Sequence, residues 1–199
     1  MSHKAYLYVV VGVMFCTMHF ANANRRFVLS GGPGIGKTTV LKELRSRGYQ
    51  TIPETFTALF EQAVAQNALD SFFNGPEVLP SILLTEQLRM ESQLTPSIPA
   101  FLDRSAVDII AYGDFFNTPM SDDMRSQAER NYDLVFFLEP LPEYLYENTD
   151  VRKESREEAL KIHDLLKEAY LQSGYMPHQL IEVPFGTPGE RAQYILDEI

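Results

Sequence analysis

The chain has 199 residues, 45% hydrophobic and 22% charged, which is enough for one domain with a real core and argues against general disorder. Its net charge of −10 would repel a nucleic-acid backbone, so nucleic acid is not expected as a partner. The single cysteine, Cys16, excludes an internal disulfide and a cysteine-based metal site.

The first 23 residues form an apolar leader that differs from the rest of the chain. A short basic start precedes an apolar run over residues 5–20, and an Ala-Asn-Ala site follows it. This order is typical of a secretory signal peptide, and the run is short for a membrane span, so none is expected once the leader is removed. Two alternatives stay open: an apolar core element, or a true start at Met14 or Met18, which would indicate a cytoplasmic protein.

After the leader, hydrophobic periodicity and turn residues predict one domain over residues 25–199, in which strands alternate with helices. In chain order we predict a strand at Arg26–Ser30, a helix at Lys37–Arg47, a strand at Tyr49–Pro53, a helix at Thr55–Gln66, a loop over residues 67–76, a helix at Glu77–Leu94, a strand at Ile98–Leu102, helices at Ala106–Phe116 and Ser121–Asn131, a strand at Leu134–Leu138, a helix at Glu154–Ser173, a strand at Leu180–Val183 and a helix at Glu190–Ile199. Buried strands between helices indicate a three-layer α/β fold, a parallel sheet with helices on both faces. Ligands bind such sheets beyond the carboxyl ends of the strands.

Two predictions of burial follow from helical spacing. The helix at Thr55–Gln66 is predicted to bury a face made of Leu59, Phe60, Ala63 and Val64. His163 lies in a charged helical stretch, and we expect it to be a solvated surface residue. No two of the four histidines have the spacing of helical metal ligands, so they predict no metal site.

A glycine-rich loop follows the first strand and fits the pattern G-x-x-x-x-G-K-[ST] at every fixed position. The residues predicted to hold a nucleotide are Gly31, Gly32, Pro33, Gly34, Ile35, Gly36, Lys37, Thr38 and Thr39. Glycines let backbone N–H groups face phosphate oxygens, Lys37 supplies a positive charge, and the Thr38 hydroxyl is a ligand for Mg²⁺. The pattern therefore predicts ATP or GTP as co-substrate, with Mg²⁺; the alternative is a glycine-rich turn that binds no nucleotide.

Charged residues follow the second and third predicted strands. Asp103 is predicted to hold Mg²⁺ directly or through water, and Arg104 to contact the transferred phosphate or the acceptor. The alternative is that Asp103 or Ser105 caps the next helix. Glu54 is predicted to accept the proton of a substrate hydroxyl, or else to stabilise the first turn of its helix.

A small basic cluster stands out in this acidic chain. It comprises Arg152, Lys153 and Arg156, and two of them, Arg152 and Arg156, are four residues apart and so share a helix face. This arrangement indicates a lid that closes on phosphates. The alternative is a solvated helix face paired with neighbouring glutamates.

On these residues the chain resembles the NadR-like AAA group of P-loop proteins, which includes ribosylnicotinamide kinase domains, and the deoxynucleoside and thymidylate kinase superfamily. The segments that carry the resemblance are Phe27–Thr39, Ile52–Glu54, Phe101–Ser105, Tyr132–Pro140 and Asp150–Arg156. The resemblance covers residues 25 to 199 and implies a five-stranded parallel sheet and phosphoryl transfer to a small acceptor.

The same resemblance implies a role for each candidate residue. Glu54 would be the base, Asp103 the metal-binding acid and Arg104 a contact to substrate or phosphate. Arg152 and Arg156 would be lid arginines. The signal-like leader is a departure from this group. Export would be difficult to reconcile with a supply of ATP.

Three functions fit a nucleotide-binding loop in a chain of this size. The first is a kinase that transfers the γ-phosphate to the hydroxyl of a small nucleoside-like or metabolite acceptor. The second is a regulatory module that binds ATP or GTP and hydrolyses it slowly. A motor ATPase is disfavoured, because an arginine follows Asp103 where a motor needs a second acid. The expected partners are therefore a nucleotide and a small-molecule acceptor.

Overall fold

The computed structural model describes residues 25–68, 78–118, 120–129, 132–143 and 155–199. The predicted leader, most of the predicted loop over residues 67–76, and Arg152 and Lys153 lie outside these ranges. Within the described ranges, no helix has the length and apolar character needed to cross a membrane.

The described chain alternates between strands and helices, as predicted. The strands are β1 (Arg26–Ser30), β2 (Gln50–Ile52), β3 (Ala100–Asp103), β4 (Leu134–Leu138) and β5 (Leu180–Val183). The helices are α1 (Lys37–Ser46), α2 (Thr55–Ala65), α3 (Leu79–Ser92), α4 (Ala106–Phe115), α5 (Asp122–Ala128), α6 (Arg156–Gln172) and α7 (Pro188–Asp197), with a short 3₁₀ turn at Pro177–Gln179 before β5. Each predicted strand and helix is present, and the ends differ by a few residues.

The five strands form one parallel sheet in the order β2-β3-β1-β4-β5. Successive strand residues face opposite sides, so β1 sends Val28 to one core and Phe27 and Leu29 to the other. The Val28 core packs against α4 and α6, and the Phe27 core packs against α1 and α7. The predicted three-layer α/β fold is thereby confirmed.

Strand β3 lies two residues later at its start than predicted, and it ends one residue later. Ala100 opens it by donating its N–H to the carbonyl of Arg25 at 3.0 Å. Pro99 has no N–H to donate, so it lies just before the strand. The shift places Asp103 within the sheet, in register with Leu29.

Two burial predictions were wrong. On α2 Ala63 is buried as predicted, but Leu59 and Phe60 are half-buried and Val64 is 47% exposed; α2 follows β2, which is an edge strand of the sheet. His163 is 7% exposed rather than solvated, because its face of α6 packs on the glycine-rich loop.

Candidate functional site

The glycine-rich loop crosses the carboxyl end of β1 and leads into α1. Gly36 caps α1 with a φ of 92°, a left-handed conformation that side chains rarely adopt. Gly32 meets a different constraint, because a Cβ there would lie 2.4 Å from the carbonyl oxygen of Ala159 on α6. Both glycines are therefore required by geometry, one by backbone conformation and one by close approach.

Lys37, the first residue of α1, points back into the loop. Its Nζ donates to the carbonyl oxygens of Gly32 at 2.8 Å and Gly31 at 3.2 Å. Burial, together with the nearby charge of Arg104, lowers the pKa of Lys37 to about 8, although Asp103 and Glu54 oppose the shift. The ammonium group is thus held inside the loop, where burial deprives it of hydration. The negative charge of a bound phosphate would stabilise its charged form.

Thr38 and Asp103 form a pair of oxygen ligands beside Lys37. The Thr38 hydroxyl donates to Asp103 Oδ2 at 2.8 Å, while Asp103 is 1% exposed and its Oδ1 accepts no hydrogen bond from the described residues. Burial raises the pKa of this carboxyl group, although Lys37 opposes the shift. A buried carboxylate oxygen without a hydrogen bond, next to a hydroxyl, fits Mg²⁺, which prefers oxygen ligands.

The described residues contain no cluster of three or more histidine, cysteine, aspartate or glutamate side chains suited to a metal. An ion held at Thr38 and Asp103 would therefore complete its coordination with water and phosphate oxygens. Mg²⁺ commonly binds in this way, with one or two protein ligands beside a substrate phosphate.

Arg104 lies at the centre of the site in a strained backbone conformation. Its φ is 70°, in the left-handed region, and such strain often accompanies a functional position. The buried guanidinium donates to Glu54 Oε1 at 2.6 Å and to the Gly31 carbonyl at 3.1 Å, and it stacks over the Tyr112 ring at 4.8 Å. Arg104 therefore links the end of β2 to the start of the glycine-rich loop.

Both carboxylate oxygens of Glu54 accept hydrogen bonds in this structure. Oε1 accepts from Arg104, and Oε2 accepts from the Thr57 hydroxyl at 2.7 Å. Burial by itself would raise the pKa of Glu54, but the charges of Arg104 and Lys37 outweigh it and lower the pKa to about 2. Glu54 is consequently a strongly acidic carboxylate, able to accept hydrogen bonds but weak as a base.

The predicted residues from three strand ends therefore meet around Lys37. Arg156 lies nearby: it is exposed at the start of α6 and lines a shallow crevice with Ile35 of the loop and Pro140. Arg152, its predicted companion in a lid, lies outside the described residues.

Sequence reasoning missed three residues that hold the loop in place. Asp108 accepts a hydrogen bond from the Ser30 hydroxyl at 2.5 Å, and the S-x-x-D pattern at Ser105 is a signal that could have identified it. His163 Nδ1 accepts from the Gly32 N–H at 3.5 Å, and burial lowers the pKa of its ring, which favours this neutral, accepting form. Nothing in the sequence pattern around His163 indicates this contact.

Arg191 of α7 is the third of these residues. Its guanidinium donates to the carbonyl oxygens of Ile35 at 2.7 Å, Glu139 at 2.8 Å and Pro184 at 3.2 Å. These acceptors belong to the loop and to the ends of β4 and β5. Arg191 therefore fastens the glycine-rich loop to the far half of the sheet.

Replacing Arg191 by alanine is expected to lower the free energy of unfolding by about 3 kcal/mol, because three carbonyl groups lose a charged donor. Arg191→Lys should restore only part of this, since an ammonium group lacks the planar fork. Urea unfolding measures the change. Exposed Arg47, whose side chain donates to Glu43, Gln193 and Gly189, is the matched control, and Arg47→Ala should cost under about 1 kcal/mol. Equal losses would contradict the assigned role.

Comparison with known proteins agrees with this geometry. The AAA domain family matches residues 26–191. A NadR protein in complex with NR superposes with a TM-score of 0.63 at 18% identity, over 88% of this chain and 50% of the other. A NadR protein in complex with NAD and AMP-PNP gives 0.65 at 16% identity, over 98% and 56%. The chain thus spans about half the length of these NadR proteins.

A thymidylate kinase from Ehrlichia chaffeensis superposes with a TM-score of 0.57 at 13% identity, over 87% of this chain and 97% of that one. No protein with a curated description matches the chain. At such identities the structural likeness shows the fold, which is that of the P-loop kinases. The family match covers most of the chain, as expected from the resemblance drawn from its motifs: the chain belongs to the AAA domain family.

Proposed function

We propose that the protein is a phosphotransferase that moves the γ-phosphate of ATP or GTP to the hydroxyl of a small nucleoside-like or metabolite acceptor. The observation that carries the proposal is the Glu54–Arg104 ion pair, at 2.6 Å, held against the Gly31 carbonyl. Nucleotide binding by itself requires only the loop. An acid and an arginine from two further strand ends supply what a second substrate requires, an acceptor for its hydroxyl and a cation for the transferred group.

The glycine-rich loop binds the phosphates through its N–H groups, and Lys37 neutralises charge on the terminal phosphates. Thr38 and Asp103 would hold Mg²⁺, which supplies charge neutralisation at the phosphate oxygens. Arg104, bonded to the Gly31 carbonyl, would contact the transferred group, and exposed Arg156, which lines a crevice with Ile35 of the loop, would close over it. Arg152 is proposed as the second lid arginine.

Glu54 orients the acceptor rather than deprotonating it in advance. With a pKa of about 2, its carboxylate accepts a hydrogen bond from the hydroxyl but removes the proton only after the bond to phosphorus begins to form. Phosphoryl transfer passes through a loose transition state that places little demand on the nucleophile, so a weak base suffices. Each Glu54 oxygen accepts one hydrogen bond here and has a second lone pair, so an acceptor hydroxyl binds beside Arg104 or Thr57 or takes the place of one of them.

One observation favours a second candidate, a regulatory module that binds nucleotide and hydrolyses it slowly. Both oxygens of Glu54 are already engaged, as in a structural ion pair. In that case Glu54 would maintain the position of Arg104, and no acceptor would displace either bond. The two candidates differ in the effect of an acceptor on turnover.

Incubation of the full chain with Mg-ATP and a panel of nucleosides and other hydroxyl metabolites tests the proposal. ADP formation should rise with one class of acceptor, and Glu54→Gln should lower that rise about tenfold to a hundredfold while nucleotide affinity stays within about threefold. The exposed Glu61→Gln, on the helix that follows Glu54, is the control and should leave both unchanged. Nucleotide binding with no acceptor-dependent ADP from any member of the panel would favour the regulatory module.

The pKa of Lys37 predicts how nucleotide affinity depends on pH. In the protein without nucleotide, Lys37 has a pKa of about 8, and the negative phosphates of a bound nucleotide would raise this pKa. Binding should then take up a proton in the interval above pH 8, and affinity should fall as pH rises through it. Calorimetry with a non-hydrolysable ATP analogue, at about pH 7 and about pH 9.5 and in buffers of different ionisation enthalpy, measures both effects. Equal affinities and no proton uptake would contradict a direct contact between Lys37 and phosphate.

A further inference from the structure

A buried carboxylate that the proposed chemistry does not use lies behind Arg104. Asp108 of α4 is 0% exposed. Its Oδ1 accepts from the Ser30 hydroxyl at 2.5 Å, and its Oδ2 accepts from the Ser105 N–H at 2.9 Å, the Ser105 hydroxyl at 3.1 Å and the Tyr170 hydroxyl at 2.5 Å. Arg104 Nη1 lies 3.6 Å from Oδ1, within ion-pair distance. Asp108 therefore has both hydrogen-bond donors and a cation around it.

Helix capping alone does not account for Asp108. Ser105 and Asp108 form a capping box, but the same chain builds capping boxes at Ser155–Glu158 and Thr187–Glu190 with exposed glutamates. Burying a carboxylate costs more hydration free energy than a single capping hydrogen bond returns. A nearby positive charge can offset this cost. Among the described residues that contact Asp108, Arg104 supplies a positive charge.

The guanidinium of Arg104 lies between two carboxylates that differ in access to solvent. The Glu54 side chain is 28% exposed and reaches the mouth of the site, while Asp108 is enclosed. An acceptor hydroxyl that binds Glu54 would weaken the bond from Arg104. The enclosed carboxylate keeps its place when this happens, since no substrate reaches it.

We propose that Asp108 is a positioning residue whose buried carboxylate holds the Arg104 guanidinium on the Gly31 carbonyl while Glu54 turns to the acceptor hydroxyl. This inference rests on the phosphotransferase function proposed above. Asp108 also bonds Ser30, the residue before Gly31, and Tyr170 of α6, the helix that packs on the loop. One carboxylate thus aligns the phosphate loop, Arg104 and α6.

The side-chain Nε–H of Arg104, observed by NMR in the full chain, tests the positioning without any substrate. Its resonance is assigned by its loss in Arg104→Lys. Nε donates to Glu54 Oε1, whereas Nη1 faces Asp108, so Asp108→Asn should increase the exchange rate of the Nε–H proton with water at least about tenfold by releasing the Nη1 side of the guanidinium. Glu91→Gln is the matched control: Glu91 is equally buried, accepts from Arg26, Gln87 and Tyr132, and should leave the Arg104 signal unchanged.

A milder pair of variants keeps the test decisive if Asp108→Asn does not fold. Tyr170→Phe removes one donor from Asp108, and Tyr132→Phe removes the equivalent hydroxyl from Glu91. Tyr170→Phe should increase Arg104 Nε–H exchange about threefold, and Tyr132→Phe should not. Unchanged exchange in both Asp108→Asn and Tyr170→Phe, or equal increases in the controls, would overturn the proposal.

Kinetics separate this inference from the proposed function. Asp108→Asn should lower kcat/KM for the acceptor at least about tenfold, but should have under about a threefold effect in an Arg104→Ala background. Independent effects of the two substitutions would assign Asp108 a merely structural role. A wild-type chain without acceptor-dependent turnover would refute the proposed function, while the NMR exchange rates would still decide the positioning of Arg104.

Discussion

Replacing Lys37 by alanine is expected to lower nucleotide turnover about a thousandfold, because the loop would lose the positive charge that is proposed to neutralise the terminal phosphates. The matched control is Lys42→Ala, a change at an exposed lysine of the same helix, which should leave turnover unaltered. Single-turnover ADP formation under saturating Mg-ATP measures the loss. A reduction under about tenfold would contradict the position assigned to Lys37.

Stability should change in the opposite sense from turnover in this variant. The folded pKa of about 8 lies below the ordinary lysine value, so the folded protein binds fewer protons between those values and stability rises with pH there. At neutral pH the buried charge therefore costs stability. Lys37→Ala removes that cost, and its midpoint of urea unfolding at pH 7 should equal or exceed that of the wild type.

Asp103→Asn is expected to reduce Mg-dependent turnover by about a thousandfold and to weaken the dependence of nucleotide binding on Mg²⁺. The amide retains the size of the carboxylate and a carbonyl oxygen that accepts from Thr38, but it lacks the negative charge that a divalent cation requires. Magnesium titrations of nucleotide binding and of turnover measure the two effects. The exposed Asp164→Asn is the control and should change neither.

The same substitution should not destabilise the protein. Burial raises the pKa of Asp103, so the ionised carboxylate is disfavoured in the folded state and stability falls as pH rises from the unfolded to the folded pKa. Asparagine has no such penalty, and Asp103→Asn should unfold at an equal or higher urea concentration at pH 7. Loss of both activity and stability would instead indicate that Asp103 is a structural hydrogen-bonding residue. The sequence also left helix capping by Asp103 or Ser105 as an alternative.

The structure supports part of that alternative. Ser105, not Asp103, caps α4, since its side-chain oxygen accepts from the Val107 N–H at 3.1 Å. Asp103 lies inside β3 with one oxygen facing Thr38. The helix cap and the proposed metal-binding position are therefore separate residues, and a capping role does not compete with the proposed role of Asp103.

The parts of the fold that the sequence predicts best are those set by local patterns. The bounds of β1, β4 and β5 agree with the prediction. In β1 and β4 four consecutive buried residues form the run, whereas the edge strand β5 contains the exposed Glu182 and its bounds follow from the flanking turn residues. The glycine-rich loop and the capping box at Thr187–Glu190 also follow from residues close together in the chain. Local chemistry was sufficient for these features.

The parts that sequence reasoning missed depend on contacts between distant residues. Asp108 bonds Ser30 and Tyr170, which are 78 and 62 residues away, and His163 meets Gly32 from 131 residues away. The charged neighbours of His163 on α6 point to solvent, but its own face meets the loop, which periodicity does not reveal. Likewise, the spacing of apolar residues in α2 does not reveal that this helix follows β2, an edge strand of the sheet.

Phosphoryl transfer to an acceptor can be observed by ³¹P NMR of the full chain with Mg-ATP and the acceptor that stimulates ADP formation. We expect a new phosphate-ester signal that grows with ADP in a ratio of about one to one, with little inorganic phosphate. ADP accompanied only by inorganic phosphate, at a rate independent of the acceptor, would contradict the account and identify the protein as a slow nucleotide hydrolase.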